Sequence, residues 1–171
     1  MKTILLVAAA AVLAGCQSVP SDAPKATANL QPTKGNKASG AVNFTQVGDM
    51  VRVTGNVSGL VPGQEHGFHI HEAGDCSSGD GMSTKGHFNP FGKPHGNPAT
   101  SERHAGDMPA LRADSSGNAK IDATLDLMTV TPGPASIVGR GLIVHASPDD
   151  YKTQPTGNAG ARIACAVIQR S

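Results

Sequence analysis

Ala41-Val42-Asn43-Phe44-Thr45-Gln46 and Met50-Val51-Arg52-Val53-Thr54-Gly55-Asn56-Val57 flank the turn Val47-Gly48-Asp49, and both arms alternate apolar with polar residues. A period of two sends one set of side chains to a core and the other to water, so the stretch reads as an antiparallel hairpin. The rhythm returns downstream. Glu65 to His71 follows the turn signal Pro62-Gly63, and Asp114 to Asn118 turns into Ala119 to Leu127, where Ile121, Ala123, Leu125 and Leu127 share a face. Gly141 to His145 and Ala161 to Ile168 complete the set, and Ala28 to Pro32 reads as a preceding edge strand. No window carries a helical period. Short strands between Gly- and Pro-rich turns indicate an all-β sandwich or barrel.

Two segments break the rhythm, residues 72–107 and 146–160, both rich in glycine and proline. Long loops inside a compact domain are usually functional or disordered, and nearly all the histidines lie in the first or at loop borders. That placement favours function.

The start of the chain reads differently. Met1-Lys2-Thr3 is a short basic end, Ile4 to Ala14 is apolar, and small residues follow, which is the order of a secretory signal peptide over 1–16. The apolar run falls short of the roughly 20 residues a spanning helix needs. Leu13-Ala14-Gly15-Cys16 resembles the lipobox of bacterial lipoproteins, in which the cysteine is lipidated, so a membrane anchor at Cys16 is expected; ordinary secretion without lipid is the alternative. Residues 17–26 read as a flexible tether and 27–171 as the folded domain. The chain has three cysteines. If lipid takes Cys16, then Cys76 and Cys165 remain as a pair that an oxidising compartment would join. Lys and Arg number 14 against 13 Asp and Glu, and setting Lys2 aside with the leader makes the signs equal. With one tyrosine, no tryptophan and no basic cluster, the chain offers no nucleic-acid footprint.

Seven histidines carry the chemistry: His66, His69, His71, His87, His95, His104 and His145. On a strand, His69 and His71 point to one face about 6.6 Å apart, so two imidazoles can converge on an ion. Parity sends His66 to the opposite face of an unbroken strand, where it reads as a hydrogen-bonded structural residue. His87, His95, His104 and Asp107 share a loop with few apolar anchors, which a metal clip would order. Three histidines and a carboxylate match a closed, four-coordinate structural zinc site.

His66-Gly67-Phe68-His69-Ile70-His71-Glu72, Gly86-His87-Phe88-Asn89-Pro90, His95-Gly96, His104-Ala105-Gly106-Asp107, Val144-His145 and Gly157 to Cys165 (GNAGARIAC) resemble, in order, the signatures of the copper/zinc superoxide dismutase family. The resemblance spans about 100 residues. It implies an eight-stranded antiparallel Greek-key β-barrel or sandwich with two long functional loops, which dismutes superoxide anion to oxygen and hydrogen peroxide. It implies one copper ion per chain, on His69, His71, His87 and His145, and one zinc ion, on His87, His95, His104 and Asp107, with the His87 ring bridging them. It further implies a Cys76–Cys165 disulfide, Asp149 as a link between His69 and His95, and Arg162 with Thr156 in an anion channel, His87 and Arg162 being the catalytic pair. The lipobox likeness points to a lipoprotein of the bacterial periplasm or cell envelope, and the sequence leaves the oligomeric state open, a homodimer among the options. The chain departs from the family where a lysine often precedes the threonine at 156: here the residue is Pro155, with Lys152 the nearest substitute.

Two rivals belong to other classes. A zinc hydrolase could use a His-x-His pair, but Glu72-Ala73-Gly74-Asp75 lacks the further histidine that β-lactamase-like sites place there. A non-catalytic copper- and zinc-binding protein of the periplasm fits the ligands, yet storage needs no anion-steering arginine.

Overall fold

The computed structural model describes residues 22–171; the expected leader, Cys16 and the first half of the tether lie outside the described residues. The hairpin forms as its alternation dictates: β2 (Ser39–Val47) and β3 (Met50–Ser58) pair from Ser39↔Ser58 to Val47↔Met50 around a two-residue turn. Gly48 takes the left-handed conformation there, φ 57°, which costs a residue without Cβ nothing. Val42, Phe44, Val51, Val53 and Val57 face the core and are fully buried, each worth about 1.5–3 kcal/mol of transfer energy.

β1 (Lys25–Pro32) begins inside the expected tether, and it is an interior strand, not an edge. It pairs with β2 on one side and with β9 (Arg162–Val167) and β10 (Gln169–Arg170) on the other. Its small inward residues, Ala26 and Ala28, are buried with Leu30 but carry little apolar signal in sequence. Further on, β7 (Ala119–Leu125) pairs with β3, and β8 (Gly141–His145) with β9 and with β5 (Phe68–His71). β4 (Glu65–His66) pairs instead with β6 (Leu111–Arg112). The strand expected over 65–71 is therefore interrupted at Gly67. Joining β4 to β5 and β9 to β10 across single residues gives eight antiparallel strands, and the sheet order β5-β8-β9-β1-β2-β3-β7 carries the Greek-key crossovers from β3 to β4 and from β7 to β8.

Leu127 lies past the end of β7 in a left-handed conformation, so the shared face stops at Leu125. It opens a third irregular stretch, 126–140, in which Met128, Val130 and Ile137 are buried against the core. Chemistry sits on the opposite face of the wall. In β5, Phe68 and Ile70 join the core cluster, so His69 and His71 point outward; in β8, Leu142 and Val144 point in, and Ile143 and His145 out. The two long loops cover this outer face, which is why its histidines are buried outside the barrel.

Candidate metal centre

The loop after β5 is not free to wander. Glu72 N–H donates to Gly86 O at 2.9 Å, Phe88 N–H to Ile70 O at 2.8 Å, Ile70 N–H to Gly106 O at 3.0 Å and Gly106 N–H to Phe88 O at 2.9 Å. These bonds lay two loop segments along the free edge of β5, opposing His71 to His87 and His69 to Asp107. His145 reaches the same place from β8, its N–H bonded to Gly67 O at 2.8 Å. Register thus gathers residues that are up to 76 positions apart in the chain.

Two groups of four result, His69, His71, His87 and His145, and His87, His95, His104 and Asp107, with His87 in both. All are buried, and within each group one ligand atom per residue lies within 4.8 Å of the others. In the first group, the outer ring nitrogens are held. His69 Nε2 lies 2.6 Å from Asp149 Oδ2, His71 Nδ1 is 2.9 Å from Lys85 O, and His145 Nδ1 is 3.1 Å from Gly160 O. A carbonyl only accepts, so Nδ1 of His71 and of His145 carries the proton and Nε2 keeps its lone pair. The atoms left over, His69 Nδ1 and Nε2 of His71, His87 and His145, are buried without a hydrogen-bond partner among the described residues. Four converging imidazole donors suit Cu(II).

The second group closes on a carboxylate. Asp107 Oδ1 lies 2.8 Å from His87 Nδ1, 3.0 Å from His95 Nδ1 and 3.3 Å from His104 Nδ1, and the Nδ1 atoms of His87 and His104 are 3.4 Å apart. A tetrahedral ion with bonds of about 2.0–2.1 Å separates its donors by about 3.3–3.4 Å, so the arrangement fits zinc after small adjustment. Asp107 Oδ2 is occupied, accepting from His104 N–H at 2.9 Å and Gly96 N–H at 3.1 Å.

Electrostatics follow from burial. Burial, only partly opposed by Asp107, lowers His87 to about 4, and burial reinforced by His69 lowers His145 to about 3. Burial, then His87 and Arg162, hold His71 well below its ordinary value. These rings are neutral near pH 7, as ligands must be. His95 goes the other way: burial opposes its charge, but Asp107 and Asp149 outweigh burial and raise it to about 9. Burial would raise Asp107 and Asp149, yet hydrogen bonds from the histidines hold both below the carboxylate range.

Asp149, buried on the second loop, bridges the groups: Oδ1 lies 2.9 Å from His95 Nε2 while Oδ2 faces His69. Cys76 and Cys165 form a disulfide, tying the first loop to β9. Arg162, half-buried, donates from Nη1 to Gly81 O at 2.7 Å and Thr84 Oγ1 at 2.8 Å, and from Nη2 to Lys85 O at 2.6 Å. Lys85 O also takes the His71 bond, so guanidinium and first group are neighbours. Thr156 is half-buried on the second loop, and Lys152 is exposed in a turn closed by Asp150. His66 belongs to neither group; its Nδ1 lies 2.8 Å from His145 O, bracing that residue's backbone.

Sequence reasoning passed over two partners. Gln154 grips the backbone of His95, and buried Arg103 pairs with Asp126, fastening the histidine loop to the end of β7. The second had a signal, a charged residue beside His104; the first had only its place next to Pro155.

The family model for copper/zinc superoxide dismutase (SODC) matches residues 38–168. Superoxide dismutase [Cu-Zn] 2 of Aquifex aeolicus (strain VF5) is 41% identical over 149 residues, covering 85% of this chain and 86% of the relative. A solved structure described as the clock protein EA4 superposes with a TM-score of 0.78 at 39% identity, over 92% of this chain and 99% of that one.

Proposed function

The chain belongs to the copper/zinc superoxide dismutase family, and from that premise we propose how its side chains share the conversion of superoxide to oxygen and hydrogen peroxide. One copper ion is held by His69, His71, His87 and His145, and one zinc ion by His87, His95, His104 and Asp107. The observation that carries this assignment is the convergence of four buried ring nitrogens that lack partners among the described residues, three of them on rings whose other nitrogen is fixed by a carboxylate or a carbonyl outside both groups. When bound, copper supplies the one-electron couple that oxidises one superoxide and reduces the next, and zinc adds charge without redox chemistry.

The rest is the protein's work. Arg162 stays protonated at any working pH and attracts and orients the anion beside His71, with Thr156 on the approach. Three acceptors aim its guanidinium, a rigidity that storage of metal would not require. His87 faces its zinc group with Nδ1, beside Asp107, and the copper group with Nε2. Nε2 takes up a proton and passes it to the departing peroxide, while Asp107 keeps the ring oriented; the second proton comes from water.

Export and lipid anchoring at Cys16, in the bacterial periplasm or envelope, belong to the same proposal. Their support is the order of residues 1–16 and the Cys76–Cys165 disulfide, a bond formed and kept in oxidising compartments. Labelled palmitate entering the parent and not Cys16→Ser is the expected result; an unlabelled parent refutes the anchor. A homodimer is one assembly open to the chain, and sedimentation of the purified chain tests it.

Single substitutions in the full-length chain test the ligand assignment. His71→Gln is expected to lose copper and keep zinc, and His104→Gln the reverse, read by metal analysis beside a superoxide assay. Copper at the parent level in His71→Gln would refute it.

A further inference from the structure

Three of the four residues in the proposed zinc set have a short backbone link to β5. His87 precedes Phe88, which is bonded to Ile70; Asp107 follows Gly106, also bonded to Ile70; and His104 N–H is fixed by Asp107. His95 sits midway along the span between them. Apart from Asp107, which meets its Nδ1 and accepts from Gly96 N–H, the groups that hold it come from the other loop. Asp149 takes its Nε2, and the Gln154 side chain takes its backbone from both sides: His95 N–H donates to Gln154 Oε1 at 2.9 Å, and Gln154 Nε2 donates to His95 O at 2.9 Å. His95 is only 3% exposed, so both backbone groups would otherwise be poorly satisfied.

Gln154 is itself firmly presented. Asp150 accepts from Lys152 N–H, Thr153 N–H and Thr153 Oγ1 at 2.9, 2.8 and 2.6 Å, and Gly157 N–H closes the turn on Thr153 O at 2.7 Å. At Gly157, φ is 68° and a Cβ would overlap Asp149 Oδ1 and His95 Nε2, so the loop approaches the histidine as closely as a backbone can.

We propose that Gln154 is a positioning residue for zinc: it holds the backbone of His95 so that Nδ1 faces the ion, and it couples the order of loop 146–160 to zinc occupancy. This rests on the zinc assignment above. The side chain lies at the surface, so replacing it leaves the core intact.

The test uses the full-length chain stripped of metal, with cobalt(II) as the spectroscopic probe and chelator competition for zinc. Gln154→Met is expected to weaken zinc about tenfold, the scale of a lost partner to a metal ligand, and to shift the cobalt absorption bands. Gln154→Glu keeps the acceptor for His95 N–H, loses the donor to His95 O, and falls between. Copper affinity stays at the parent's value, and the metal-free chain melts somewhat lower because two backbone groups of His95 lose their partners. A Gln154→Met variant that binds zinc as tightly as the parent overturns the proposal, and so does one whose metal-free melting temperature falls while zinc affinity holds, the mark of a merely structural bond. A parent showing no tetrahedral cobalt spectrum removes the zinc assignment and this inference together.

Discussion

Replacing Asp149 by asparagine exchanges one carboxylate oxygen for an NH2 with almost no change of volume, yet both metal groups depend on the pair of oxygens. The carboxylate, 1% exposed, accepts from His69 Nε2–H at 2.6 Å and His95 Nε2–H at 2.9 Å, and Tyr151 N–H adds a third bond at 2.7 Å. An amide has one oxygen. Whichever way it is turned, its NH2 meets a donor, and a ring facing that NH2 can satisfy it only by moving its own proton to Nδ1, the atom meant for metal. The conflict is relieved where the backbone yields. His69 is locked in the β5–β8 ladder opposite Ile143, whereas His95 stands on a loop and can swing away. Zinc should therefore suffer more than copper. Losing a hydrogen bond to a charged group costs about 1.5–3 kcal/mol, and the usual loss for a partner of a ligating histidine is 10–100-fold, or about 1.4–2.7 kcal/mol; the two scales agree. Asp149→Asn, dialysed against graded chelator and analysed for both metals, should release zinc at chelator activities roughly one to two decades below the parent's, with a smaller shift for copper. Zinc retention within about threefold of the parent, or a copper loss exceeding the zinc loss, would refute the reasoning.

Other perturbations have equally definite outcomes. Arg162→Met should slow dismutation at low salt about tenfold and flatten its salt dependence while copper content holds, since steering by a local charge is worth about 10–1,000-fold in rate; an unchanged rate sinks the role assigned to the guanidinium. Cys76→Ser opens a link spanning 89 positions, so the denaturant-derived stability should fall by about 2–5 kcal/mol, with activity falling too because Gly81, Thr84 and Lys85, the acceptors of Arg162, lie on the released loop. Stability of the metal-free chain should peak near pH 6.5, the unfolded imidazole value. Below it the unfolded chain takes protons that His71, His87 (about 4) and His145 (about 3) refuse, so stability falls with acid; above it the stability that protonated His95 contributes is lost by about pH 9. Denaturant midpoints from pH 5 to 9 read this, and a steady rise across that range contradicts it.

What the sequence disclosed follows from which contacts leave a side-chain signature. The β2–β3 hairpin is legible because Val42, Phe44, Val51 and Val53 alternate strongly, and the histidines because they recur at ligand spacing. β1 is misread as an edge behind a longer tether because Ala26 and Ala28 fill the narrow space beside β2 and β9 with almost no apolar weight. Stretch 126–140 passes unnoticed because its buried residues, Met128, Val130 and Ile137, follow no period. In the site, side-chain ligands can be read and the groups that aim them cannot. Lys85 O and Gly160 O fix two rings through backbone carbonyls, which every residue possesses, and Gln154 acts on a backbone it meets 59 positions away.

The two groups differ in what holds them, and the difference assigns each a kind of rigidity. His69, His71 and His145 stand on β5 and β8, whose inner faces are packed with Phe68, Ile70, Leu142 and Val144; moving any of these three rings means deforming the barrel wall. The other group has no member on a strand of the barrel. Its geometry is made by loop segments bonded to the edge of β5, by Asp107 accepting from its neighbours, and by a second loop that reaches His95. A redox ion needs ligands that hold their places while its charge changes, and strands supply that; a structural ion can order the loops that bind it. His87 belongs to both groups, opposed to His71 through its backbone and fixed by Asp107 through its ring. Order gained on the loop side is thereby delivered to the strand side through one imidazole, and the same loops hold Arg162's acceptors over the approach to it.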